Sequence, residues 1–253
     1  MKMHMLSGGR LRMKKNIYLP AADRSETIEL PVPCVLLRHR QGNVLFDTGC
    51  HPSVPDNPEA RWGALAKVMT PIMPAGENVL NALAALGVTP DDIDVVVCSH
   101  LHPDHCGCNA FFTKSTFFIH ARELEAARAP AAQTQGYLSA EWDHPLRIDE
   151  ISTERDIFGD GQIVLIPLPG HTPGTLGALI ALERSGTFFL ASDTVSLSET
   201  LDQGILPRNT WNADELTKSL TEIKRIQARG VTIVCGHDAR QWAELRKGAD
   251  AYD

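Results

Sequence analysis

Aromatic residues make up only 6% of this chain, and no run of basic residues extends beyond Lys14-Lys15. With 31 acidic against 24 basic residues the formal net charge is −7, so no basic groove is expected and nucleic acid is a poor partner. Every uninterrupted apolar run is too short to cross a bilayer as a helix, which argues against a membrane partner. Residues 1–10 carry positive charge but neither an apolar stretch of signal-peptide length nor a small-residue cleavage site, and the expected location is the cytoplasm. The six cysteines, at positions 34, 50, 98, 106, 108 and 235, show no C-x-x-C spacing and read as reduced thiols. Cys106 and Cys108 are too close in sequence for a relaxed disulfide and read as small buried side chains. What remains is ordinary for a globular protein: 253 residues, 43% hydrophobic and 22% charged. No composition break divides the chain, so one domain over residues 1–253 is expected.

Against that plain background one stretch stands out. The apolar run Val95-Val96-Val97-Cys98 reads as a buried strand, and Ser99-His100-Leu101-His102-Pro103-Asp104-His105 follows directly. Side chains at i and i+2 of an extended segment point the same way, so His100 and His102 leave the strand end as a pincer. Asp104 and His105 lie where the backbone must turn and can aim at a second point a few ångströms away. Histidines can cluster on a solvated surface, but four potential ligands within six residues at a strand end favour metal, and this spacing suits two adjacent ions.

The rest of the chain supplies further ligands. Residues 3–19 alternate and are broken at Ser7-Gly8-Gly9, which predicts a hairpin with Met3, Met5, Leu11 and Met13 on one face. Residues 31–37 and 43–46 read as strands, the second ending in Asp47-Thr48-Gly49. Asp47 is either an outer partner that fixes the tautomer of a ligand histidine or the acceptor of an Asx-turn. In the proline-rich stretch 50–76, Trp62, Leu65, Met69 and Met73 follow helical spacing, a stripe that either packs into the core or walls a pocket. Residues 77–86 read as a helix stopped by Gly87, and residues 116–120 as a strand whose His120 belongs to core or surface. Tyr137, Trp142 and His144 sit in a stretch without clean periodicity that could form a second pocket wall.

A strand over 162–166 leads into Gly170-His171-Thr172-Pro173-Gly174, where glycine and proline force a turn that exposes one histidine. The hairpin of 176–182 and 187–191 ends in Ser192-Asp193-Thr194, whose carboxylate has two oxygens with which to bridge two cations. Residues 212–229 form the clearest helix, with Asn212 as cap and Glu215 completing a capping box. A last strand, 231–235, ends in Gly236-His237-Asp238, and a closing helix with Trp242 and Leu245 follows. Because His100, His102, Asp104, His105, His171, Asp193 and His237 each follow a predicted strand, a layered α/β fold could gather all seven at one sheet edge. Five histidines with two carboxylates suit zinc or a similar first-row ion.

These motifs resemble the metallo-β-lactamase superfamily over nearly the whole chain. The full pattern, from the opening alternation through Phe46-Asp47-Thr48-Gly49 to Gly236-His237-Asp238, is most similar to the N-acyl-homoserine lactonases. The resemblance implies an αβ/βα four-layer sandwich with the metal site at one sheet edge. It implies two divalent ions, zinc foremost and iron, manganese or cobalt as substitutes. His100, His102 and His171 would hold one, Asp104, His105 and His237 the other, and Asp193 would bridge them. The implied chemistry is opening of a small-molecule lactone by a hydroxide held between the metals, with Asp104 as catalytic proton shuttle to the leaving alkoxide. A homodimer is implied by likeness alone.

Trp62, Met69 and Met73 are the expected receivers of an acyl chain. The lactonases commonly carry a substrate-binding tyrosine three residues after the bridging aspartate, where this chain has Ser196. Ser196 itself, or Tyr137 in its place, is then the expected substrate contact. Other activities compatible with the same site are ester, thioester or organophosphate hydrolysis and, from a different class, an iron-dependent persulfide oxidoreductase.

Overall fold

Alternation along the central strands dictates the layering. In the computed structural model, which describes residues 1–253, the first sheet contains β1 (Lys2–Lys14), β2 (Thr27–His39), β3 (Gly42–Phe46), β4 (Thr70–Pro71), β5 (Val95–Val97), β6 (Thr116–His120) and β7 (Arg147–Ile151). Its spatial order is β4-β1-β2-β3-β5-β6-β7. The second sheet contains β8 (Arg155–Asp156), β9 (Ile163–Pro167), β10 (Leu176–Leu182), β11 (Gly186–Leu190) and β12 (Thr232–Val234), in the order β12-β11-β10-β9-β8.

Successive residues of a strand face opposite sides. Val35, Leu37, Val44, Phe46, Val95, Val97 and Phe118 accordingly pack on Leu165, Leu176, Ala178, Ile180 and Leu190 between the sheets. Their neighbours Leu36, Leu45, Val96 and Phe117 face the other way, among Val79 and Leu83 of the helix Val79–Ala84 and Leu124 of the helix Ala121–Arg128. On the far side of the second sheet, Phe189 and Ile233 meet Leu216, Leu220, Ile223 and Ile226 of the helix Ala213–Gln227. Helices, sheet, sheet and helices thus form the expected αβ/βα sandwich. Each large apolar side chain buried this way contributes about 1.5–3 kcal/mol, which is why strands covered on both faces read as unbroken apolar runs.

Three local expectations are corrected. Ser7-Gly8-Gly9 does not turn the chain: β1 runs straight through it, and its register with β2 slips between Ser7 and Arg10. The glycines serve close approach instead, since a Cβ on Gly8 would stand 2.7 Å from the Gly49 Cα and 2.6 Å from the Cys34 sulfur. Gly-Gly in an alternating run signals a bulge as readily as a hairpin.

The stripe Trp62-Leu65-Met69-Met73 is not one helix. The helix Pro58–Trp62 ends at Gly63, whose φ is 55°, a tight turn follows, and Thr70–Pro71 pairs with β1. Trp62, Met69 and Met73 still share one buried cluster, so apolarity there reflected packing and not periodicity. At the long helix Asn212 accepts from the Glu215 N–H, but the Glu215 carboxylate reaches Arg122 at 3.1 Å, leaving the capping box half made. No helix is long and apolar enough to cross a membrane.

Candidate metal centre

The seven side chains singled out above converge at one edge of the sandwich. β5 delivers His100 and His102 past its end, and Pro103 opens the short helix Pro103–Cys106, which carries Asp104 and His105 on its first turn. His171 sits between β9 and β10. Its neighbour Gly170 has φ 145° and lies so close to the long helix that a Cβ would come within 2.3 Å of the Leu216 Cα. Asp193 follows β11 and His237 follows β12, strands joined by parallel pairing from Phe188 to Thr232 through Leu190 to Val234. Gly236 leaves room for the carboxylate between them: a Cβ there would lie 2.6 Å from Asp193 Oδ1.

Two groups of ligand atoms result. The His102 Nδ1 stands 3.1 Å from both His100 Nε2 and His171 Nε2. In the second group His105 Nε2 and His237 Nε2 are 3.4 Å apart, and Asp104 Oδ2 lies 3.6 Å from each. Tetrahedral coordination at ordinary zinc–nitrogen lengths separates ligand nitrogens by about 3.3 Å, so both groups fit a divalent ion. Asp193 faces both. Its Oδ1 is 3.4 Å from His105 Nε2 and 3.0 Å from His237 Nε2, while Oδ2 is 3.5 Å from His171 Nε2. That Oδ1 is buried with no hydrogen-bond partner of standard geometry, as expected of an oxygen reserved for a cation.

The outer nitrogens fix the tautomers. Asp47 Oδ2 accepts from His105 Nδ1 at 2.8 Å, the Pro31 carbonyl from His237 Nδ1 at 2.8 Å, and the Gln135 carbonyl from His102 Nε2 at 3.1 Å. Each inward nitrogen is left with its lone pair. Asp47 also accepts from the Ser99 N–H and hydroxyl, both at 2.7 Å, and holds φ 61°, a left-handed geometry that aspartate tolerates better than most residues. Of the two readings of Asp47, the outer partner is the one realised.

Sequence reasoning missed Glu123. Fully buried on the helix after β6, it accepts from the Leu101 N–H at 3.0 Å and the Gly174 N–H at 3.0 Å, tying together the two loops that carry the first group. Burial pushes its carboxyl up, opposed by those backbone donors. A lone glutamate in an amphipathic helix carries no local mark of such a role. His120, read as core or surface, is buried and caps its helix through Arg122 N. Cys106 and Cys108 are free, buried core thiols.

Above the centre opens a cleft of about 360 Å³ whose floor includes His102, Asp104, His171 and Asp193. Met13, Ile17, Tyr18, Leu65, Met69, Tyr137 and Trp211 supply its mainly apolar walls, and Val68 and Trp211 stand exposed among the lining residues. Of the expected substrate contacts, Met69 and Tyr137 line this cleft. Trp62, Met73 and Ser196 do not. Trp62 donates to buried Glu141 at 3.1 Å, Met73 packs against Gly9, and Ser196 is 1% exposed with its hydroxyl directed at the Asp193 carbonyl. The reason is common to all three: position in the chain placed them near the site, but their side chains point into the core. Tyr18, Ile17 and Trp211 reach the cleft from segments that no sequence pattern connected to it.

A layered sandwich with two adjoining His/Asp groups at one sheet edge defines a metallohydrolase class, and the chain belongs to it: residues 27–237 match the model of the metallo-beta-lactamase superfamily. Membership implies a divalent metal at this cluster. Within the superfamily the chain is 30% identical to the N-acyl homoserine lactonase AttM of Azorhizobium caulinodans, covering 100% of this chain and 98% of the relative. It is 26% identical to the N-acyl homoserine lactonase of Bacillus thuringiensis, over 97% of this chain and 96% of that one. Its backbone superimposes with a TM-score of 0.90 on an N-acyl homoserine lactone hydrolase solved with the product N-hexanoyl-L-homoserine at its catalytic metal center, at 26% identity and covering 99% and 98% of the two chains.

Proposed function

We propose that this protein, acting as one catalytic unit over residues 1–253 in the cytoplasm, hydrolyses the lactone ring of N-acyl-homoserine lactones, a quorum-quenching reaction, using two divalent ions, zinc foremost. The observation that carries this reading is Asp193, whose two oxygens face the two histidine groups at the floor of an apolar cleft. His100, His102 and His171 would hold one ion and Asp104, His105 and His237 the other, with Asp193 facing both. The full-length likeness to proteins named as N-acyl homoserine lactonases supports the substrate class.

When bound, the ions supply an acidified water and a Lewis acid for the acyl carbonyl. The chain's own residues do the remainder. Met69 and the other apolar wall residues receive the acyl chain and exclude water from it. Asp104, on the cleft floor beside His105 and His237, carries a proton to the departing ring oxygen. Asp47, Pro31 and Gln135 keep three imidazoles in the orientation that holding a cation demands.

The test is acid release, followed by pH-stat, from N-acyl-homoserine lactones of graded chain length with zinc-loaded and chelator-stripped protein. Ring opening confined to the zinc-loaded protein is expected. Fully metallated protein that opens no lactone would overturn the assignment and bring esters, thioesters and organophosphates forward.

A further inference from the structure

Tyr18 is the one phenol at the side of the cleft where His237 and Asp104 lie. It ends the short helix Lys15–Tyr18 after β1, is 2% exposed, and lines the cleft. Its ring stands edge-on to the His237 imidazole, 6.4 Å between centroids at 68°. The other phenol of the cleft, Tyr137, lies across it, 5.5 Å from the His102 ring.

Two features make Tyr18 a donor in waiting. The partner of its hydroxyl is the Met13 thioether at 3.2 Å, a weak acceptor that a stronger one displaces at little cost. A phenol carries an O–H with which to donate a hydrogen bond. Its segment is also fixed in place. The Arg208 N–H donates to the Ile17 carbonyl at 2.6 Å, and the guanidinium donates to the Asn16 and Pro20 carbonyls at 3.0 and 3.2 Å. A donor held rigidly before substrate arrives costs no reorganisation during the reaction.

We infer that the Tyr18 hydroxyl donates a hydrogen bond to the ring oxygen of the lactone as it leaves, beside Asp104, and releases the Met13 sulfur to do so. The inference rests on the lactone reading above. In the balanced step water adds its oxygen to the acyl carbon, and the bond from that carbon to the ring oxygen breaks with its electron pair going to oxygen. The ring oxygen then takes a proton through Asp104. Tyr18 gives up no proton; it steadies the charge on that oxygen until the proton arrives and then binds the product hydroxyl.

The experiment is equilibrium binding to the full, zinc-loaded chain. N-hexanoyl-homoserine and N-hexanoyl-2-aminobutyrate, which lacks only the hydroxyl, are titrated by calorimetry against wild type and Tyr18→Phe. The wild-type preference for the hydroxylated acid should fall about 10-fold in Tyr18→Phe, with metal content and Tm unchanged. In parallel kcat for lactone opening should drop about 10- to 100-fold, more than KM changes. A Tyr18→Phe protein that keeps the wild-type preference overturns the inference.

Should Tyr18→Phe lose metal or Tm, a chain with 3-fluorotyrosine at position 18 keeps hydroxyl and packing with a more acidic phenol. Its preference should then exceed that of wild type, and an unchanged preference overturns the inference. Wild-type protein that opens no lactone and binds neither acid overturns the proposed function and the role of Tyr18 with it. Retained lactone opening alongside an unchanged preference overturns Tyr18 alone.

Discussion

His100, His102 and His171 meet as three imidazoles, whereas Asp104, His105 and His237 meet around a carboxylate with a second one, Asp47, behind. The electrostatics differ accordingly. Burial, and then the neighbouring imidazoles, hold His100 well below the usual histidine range, and burial pushes His171 down to about 3. His105 is driven well above that range: burial pulls it down, but Asp104, Asp193 and Asp47 together prevail. His237 is raised against burial chiefly by Asp193. In the metal-free protein the environment thus disfavours a proton on His100 and His171 and favours one on His105 and His237. One fold edge has thus built two ligand groups of opposite electrostatic character, one of imidazoles alone and one set among carboxylates.

Asp193 belongs to both groups, so removing it should erase the distinction. In Asp193→Ala both ions should be lost and lactone opening should fall by more than about 1,000-fold; metal analysis after desalting, beside the pH-stat rate, decides. Retention of two ions would show that the groups are independent.

Asp47→Asn acts on one side only. It leaves shape intact but removes the charge behind His105, and outer partners of ligand histidines are worth about 10- to 100-fold in metal affinity. A competitive chelator titration should show the second ion weakened and the first unchanged.

Glu123→Gln is its counterpart on the first group. An amide can accept from only one of the Leu101 and Gly174 N–H groups, and one buried donor left unpaired costs about 1–3 kcal/mol. Thermal unfolding should report that loss, with metal affinity falling at the histidine-only group. Equal weakening of both ions would mean that Glu123 supports the edge as a whole.

The smallest effect sharpens the contrast directly. Raised pKa values at His105 and His237 mean that these groups hold protons below their shifted values and surrender them as pH rises, so metal uptake there should release protons and tighten with pH. Uptake at the first group, where His100 and His171 are held low, should release fewer. Calorimetric metal titrations in buffers of different ionisation enthalpy count the protons at each step.

How far the sequence spoke follows the distance over which each feature is encoded. His100, His102, Asp104 and His105 lie in one short run, and the strand before them sets their direction, so the pincer was visible at once. His171, Asp193 and His237 were legible as polar residues just beyond apolar strands beside glycine or serine. Their meeting depends on β11 pairing in parallel with β12, which no local pattern states. The layering was implied by the family resemblance, and the unbroken apolar runs agreed with strands covered on both faces. The cleft was not legible, because Trp62 and Met69 are equally apolar by type and only tertiary packing decides which faces the substrate. Glu123 acts through two backbone N–H groups far apart in the chain, and Tyr18 reaches His237 from a segment more than 200 residues away. Neither leaves a signature in its own neighbourhood.

The parallel pairing of β11 with β12 also has a temporal meaning. Synthesis delivers the 100–105 run early, yet Asp193 cannot be locked against His237 until Thr232–Val234 has emerged and docked beside Gly186–Leu190. A nascent chain that stops short of β12 has bare imidazoles to offer but no completed second group. A completed seven-residue cluster therefore reports that the last strand is in register.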